Sequence, residues 1–127
     1  MAHTGVPKEV ERFIATDIES VEQLEVLLLL RAAPEKQWTA QEVARALVFR
    51  VDSAADWLAR MAERGLLAQF DNRYLFAPAT PEVTETIDAL AESFAKYRVT
   101  VIALIFSKPS DRVRLFSDAF RIRRSSG

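Results

Sequence analysis

The sequence predicts a mostly α-helical fold with one small β-hairpin and a long C-terminal helix. Three observations predict it. Apolar residues recur at spacings of three and four along most of the chain. Two short alternating runs, Leu66–Phe70 and Arg73–Ala77, flank Asp71-Asn72, two residue types that tolerate the positive φ of a tight turn. From residue 82 to residue 107 there is neither glycine nor proline.

Taken in order, Pro7 suits the first turn of a short helix that carries Val10, Phe13, Ile14 and Ile18 on one face. Ser20 begins a second helix, with Gln23 completing a capping box. Its Val21, Leu24, Val26, Leu27, Leu28, Leu29 and Leu30 leave few faces for water, so it is expected at the centre of the core, ending near Ala33 before Pro34. Trp38 reads as a short strand or staple residue. Thr39 and Glu42 form a second capping box, with Val43, Ala44 and Leu47 pointing inward. After the VFRV turn, Asp52 or Ser53 is expected to cap the next helix, with Trp57, Leu58 and Met61 inside. Gly65 follows as its left-handed C′ residue. Beyond the hairpin, Val83, Ile87, Leu90, Phe94, Tyr97, Val101 and Leu104 repeat at 4, 3, 4, 3, 4, 3, a heptad seam that argues for one long helix. The β-branched residues from Val99 to Ile102 leave a strand as the competing reading of 99–106. Pro109 ends the seam, and Ser110 or Asp111 caps a last short helix with Val113, Phe116 and Phe120 on one side. The chain divides into an N-terminal helical extension (1–19), a central unit (20–78), the long helix (79–107) and a C-terminal segment (108–127).

The net charge of −1 is unevenly spread. Residues 1–76 hold twelve acids against nine bases, and residues 77–106 four against two. The last 21 residues hold six bases against Asp111 and Asp118. Positive charge therefore collects at the C-terminus. The absence of cysteine fits a cytoplasmic protein, the N-terminus has no uninterrupted apolar stretch of a secretory leader, and the longest apolar runs are too short to span a bilayer.

Helix, turn, helix and hairpin follow one another over residues 39–76. Thr39-Ala40-Gln41-Glu42-Val43-Ala44 and Leu47 make a support helix, Ser53-Ala54-Ala55 through Leu58 and Met61 a second helix, and Glu63-Arg64-Gly65-Leu66-Leu67 an exit into the hairpin. In this order and spacing, residues 20–78 resemble the winged helix-turn-helix superfamily, and the MarR-like transcriptional regulators most closely. The resemblance implies a second helix in the major groove of double-stranded DNA and a wing on the backbone or minor groove. Groove-facing positions would be Ser53, Ala54, Asp56, Arg60 and Glu63, with Arg50 just before them and Asn72 and Arg73 on the wing. Arg50, Ser53, Arg60 and Arg73 are the expected DNA contacts, with Arg121, Arg123 and Arg124 as phosphate clamps. Asp52 and Asp56 depart from the composition of a strong DNA reader, so a winged helix that binds protein instead is the alternative.

The seam also has two readings. It packs within one chain, or it pairs two copies as the MarR-like resemblance implies, with Val83, Ile87, Leu90, Phe94, Tyr97, Val101 and Leu104 in a homodimer interface. A small-molecule effector crevice of Trp38, Phe94, Tyr97 and Phe106 is implied by the same resemblance, though these residues serve equally well as core. Catalysis finds little support. His3 is the sole histidine, no glycine-rich phosphate loop exists, and Glu22/Glu25 and Glu82/Glu85 sit at helical spacing on solvated faces. No cofactor or metal is expected. The favoured function is a dimeric, non-enzymatic DNA-binding transcriptional regulator.

Overall fold

A computed structural model describes residues 5–107. Its elements are α1 (Lys8–Asp17), α2 (Val21–Ala32), β1 (Trp38–Thr39), α3 (Ala40–Leu47), α4 (Val51–Glu63), β2 (Leu67–Phe70), β3 (Arg73–Phe76), α5 (Pro81–Lys96) and α6 (Arg98–Phe106). The fold is mostly helical, with one antiparallel sheet ordered β1-β3-β2. Trp38 stands opposite Tyr74, and Leu67 opposite Phe76. The short β1 pairs with the hairpin because Trp38 and Tyr74 are both buried there.

Helix α2 lies at the centre, with Leu24, Val26, Leu27 and Leu30 wholly buried. Its N-terminus differs slightly from the expected capping box. Ser20 Oγ accepts from Gln23 N–H, but the Gln23 carboxamide reaches one residue further back, accepting from Glu19 N–H at 2.6 Å. Gln23 Nε2 also donates to Asp17 O at 2.7 Å. A buried glutamine thereby closes the α1–α2 corner, leaving neither backbone group without a partner. Pro7 occupies the N-cap of α1, just outside its first turn.

The Thr39–Glu42 box forms in full, with both reciprocal bonds present. Helix α3 stops at Val48, which takes φ 59° and ψ 48°, so that Phe49 N–H can reach Ala44 O. That left-handed residue shortens the turn. Helix α4 starts at Val51 with Arg50 as N-cap and no side-chain cap, so neither Asp52 nor Ser53 caps it as expected. At the other end Gly65 has φ 80°, and Leu66 N–H to Met61 O with Gly65 N–H to Ala62 O makes a Schellman motif. Asp71 supplies the positive φ of the hairpin turn.

The long helix is two helices. Thr80 caps α5 and Pro81 fills its first position. The helix breaks at Tyr97, whose φ of −129° and ψ of 51° turn the chain before α6. Residues 98–106 are helix, not strand. The β-branched run does not decide because Val101 and Ile105, four apart, find the core on one helical face. The last short helix expected after Pro109 lies outside the described residues, as does the whole C-terminal segment 108–127. No helix among the described residues is long and apolar enough to cross a membrane.

Candidate docking face

Helix α4 buries Ala54, Leu58 and Met61, an i, i+4, i+7 stripe, against the core. Ala54 is fully buried, so it does not face outward as the resemblance implied. The outward side carries Asp52, Ser53, Asp56, Trp57, Arg60 and Glu63. Trp57, expected inside, is half-buried at the edge of this face, where its Nε1 donates to Glu22 Oε1 at 3.1 Å.

The face is bounded by the α1–α2 corner, whose carboxylates hold the two arginines of α4's C-terminal end. Arg60 Nη1 lies 3.0 Å from Glu19 Oε1 and stacks over the Trp57 ring. Arg64 reaches Glu19 Oε2 at 2.7 Å and Asp17 Oδ1 at 3.5 Å, and donates to Thr16 O at 2.9 Å. Between α2 and α4 lies a shallow pocket of about 130 Å³ lined by Glu22, Ser53, Asp56, Trp57 and Arg60. Asp17, Glu19, Glu22 and Asp56 outnumber Arg60 and Arg64 here, so the local charge stays negative. Helical spacing places Glu22 on a solvated face and gives Glu19 no role. Their partners are 35 to 45 residues away, beyond what spacing can reveal.

The α3–α4 turn projects differently. Val48 is 90% exposed and Val51 is 44% exposed, beside an exposed Arg50–Asp52 pair at 3.4 Å. Arg73 is exposed at the start of β3, and Phe70, across the hairpin from it, is also exposed. Half-buried Glu42 titrates below the ordinary 4.5, chiefly because its carboxylate accepts the Thr39 N–H; Lys36, Arg73 and Arg45 add attraction and burial opposes it.

Of the expected DNA contacts, Arg50, Ser53 and Arg60 share the α4 side and Arg73 lies on the hairpin. Arg121, Arg123 and Arg124 lie outside the described residues. The seven seam residues have mostly gone inward. Ile87, Leu90, Phe94 and Val101 are buried within the single chain, and Val83 and Leu104 pack partly against the same core. Only Tyr97 is exposed. The aromatic set is divided too, with Trp38 and Phe94 in the core and Tyr97 and Phe106 outside. Compared with protein-family models, with curated proteins and with solved structures, the chain finds no match in any of the three.

Proposed function

We propose that this chain is a non-catalytic binding module of winged helix-turn-helix layout whose α4 face and adjoining turn engage a protein partner. The carrying observation is the Glu19 carboxylate between Arg60 and Arg64. Phosphate affinity comes from cations free to displace counterions. Here the two arginines at the C-terminal end of α4 are neutralised by the chain's own corner, and Asp52 and Asp56 lie on the same helix. The exposed Val48 and Val51 at the α3–α4 turn, and Phe70 on the hairpin, are apolar side chains that suit a protein interface better than a phosphate backbone.

A mobility-shift titration with random duplex DNA across a range of salt tests this reading. No complex is expected even at low salt. In parallel, a photo-crosslinking residue in place of Val51 is expected to capture protein and not nucleic acid. A salt-steep complex with duplex DNA overturns the proposal.

The second reading, a DNA-binding transcriptional regulator, is favoured by the exposure of Arg45, Arg50 and Arg73. In that reading Arg50 and Arg73 contact backbone, Ser53 reaches a base edge, and Arg121, Arg123 and Arg124 add phosphate contacts. Truncation before Arg121 then weakens binding equally on all sequences and flattens its salt dependence.

A further inference from the structure

No helix-breaking residue accounts for the break at Tyr97. No glycine or proline lies between residues 82 and 107, and the heptad spacing from Val83 to Leu104 runs through the break without a slip. Helix α6 also begins poorly. Tyr97 gives it no side-chain cap. The backbone ladder carries Tyr97 N–H to Ser93 O at 2.6 Å and then Val101 N–H to Tyr97 O at 2.9 Å. Between them, the N–H groups of Arg98, Val99 and Thr100 open α6 without intrahelical acceptors. A straight α5–α6 helix would give them the carbonyls of Phe94, Ala95 and Lys96.

Tertiary contacts hold the bend instead. Val101 and Ile105 are buried, α6 packs on both α1 and α5, and the Tyr97 ring covers Gly5 so closely that a Cβ there would meet Cζ at 3.0 Å. The polar latch is light: Arg98 reaches Glu25 at 3.7 Å with its side chain more than half exposed. Meanwhile Tyr97, Val99 and Phe106 remain exposed, at 42%, 80% and 65%.

We propose that Tyr97 is a hinge through which α6 exchanges between two copies of this chain. On straightening, α5 and α6 form one continuous helix and recover the three missing backbone bonds. The seat vacated on α1 is filled by α6 of the second copy, so Val101 and Ile105 are buried in trans as they were in cis. Exchange of an identical element needs no new surface complementarity, which is why it is a low-cost route to a dimer. The occupant is a second copy because only another α6 repeats the side chains that fit that seat.

Light scattering over a wide concentration range, on the whole chain and on Arg98→Pro, tests the hinge. Proline is tolerated at the first position of a helix whose N–H is unbonded, but it breaks a continuous one. The whole chain is expected to dimerise at high concentration, and Arg98→Pro to weaken the dimer more than tenfold while lowering the monomer's thermal stability only slightly, by the loss of the exposed Arg98 contacts to Glu25 and the Phe94 ring. A chain that stays monomeric throughout, or a dimer indifferent to Arg98→Pro, overturns the proposal. Should the variant not fold, spin labels at Glu92→Cys and Phe106→Cys decide, since the chain has no cysteine of its own. In dimers diluted with unlabelled chain, the intrachain separation is expected at about 21 Å, the rise of 14 residues of straight helix. The same distance in dimer as in monomer refutes the exchange.

Discussion

Arg64 Nη2 lies 2.7 Å from Glu19 Oε2, joining the C-terminal end of α4 to the corner before α2. The same carboxylate holds Arg60 through its other oxygen. One glutamate therefore ties both arginines of α4's C-terminal end to the corner, with Asp17 and the Thr16 carbonyl as further partners of Arg64.

Glu19→Ala is expected to convert that face toward nucleic-acid affinity. Release of Arg60, and the loss of one of Arg64's two carboxylate partners, should raise non-specific duplex binding, with a salt slope steeper by about 0.9 for each arginine that finds a phosphate. Stability should fall by only about 1 kcal/mol or less, because all three side chains are partly solvated. Mobility shifts and thermal melts measure both. Unchanged DNA affinity would show that Glu19 is not what restrains the arginines.

Gln23 is a test of the corner itself. Replacement by leucine keeps its approximate size but strands the Asp17 carbonyl and the Glu19 N–H, which Gln23 now satisfies. The expected loss is about 2–3 kcal/mol, read as a lower denaturation midpoint at constant m-value. Displacement of Glu19 should accompany it, so Gln23→Leu should also loosen Arg60.

Val48 stands in the left-handed region with its side chain almost wholly in water. A β-branched residue there stores on the order of 1 kcal/mol of strain and contributes no burial in return. Val48→Asn is therefore expected to stabilise the chain by roughly 0.5–1 kcal/mol. If Val48 is also a protein-binding anchor, the stabler variant should bind its partner less well, and equal or better binding removes it from the interface.

Glu42 gives the chain a defined acid sensitivity. Its folded pKa lies below the ordinary 4.5, so its charged form stabilises the folded state. That contribution is complete above pH 4.5 and is lost as pH falls through the lower folded value. Glu42→Gln should flatten this part of the stability profile while leaving the neutral-pH fold intact. A profile unchanged below pH 4.5 would falsify the assignment.

Most helices were legible because their signals are local. Ser20, Thr39 and Gly65 sit where caps are needed, and each satisfies backbone groups within a few residues of itself. The α4 start departs from its local signal. Asp52 and Ser53 are good cap residues, yet Val48 turned the chain early enough for the helix to begin at Val51 without one. The candidate face was legible in membership but not in state. Arg50, Ser53 and Arg60 are implied by the winged helix-turn-helix resemblance, whereas the hold of Glu19 on Arg60 exists only through a contact across 41 residues.

By itself, the sequence determined the helical character of the chain, the hairpin at Asp71-Asn72 and the apolar stripe that faces the core. These follow from periodicity and backbone preference, which act over a turn or two. Only the tertiary structure decided that Arg60 and Arg64 are spoken for, and that the seam bends at Tyr97 to bury Val101 and Ile105 against its own chain. Both depend on which surfaces meet, and the burial of two aliphatic side chains outweighs three unmade hydrogen bonds that a straight helix would have kept.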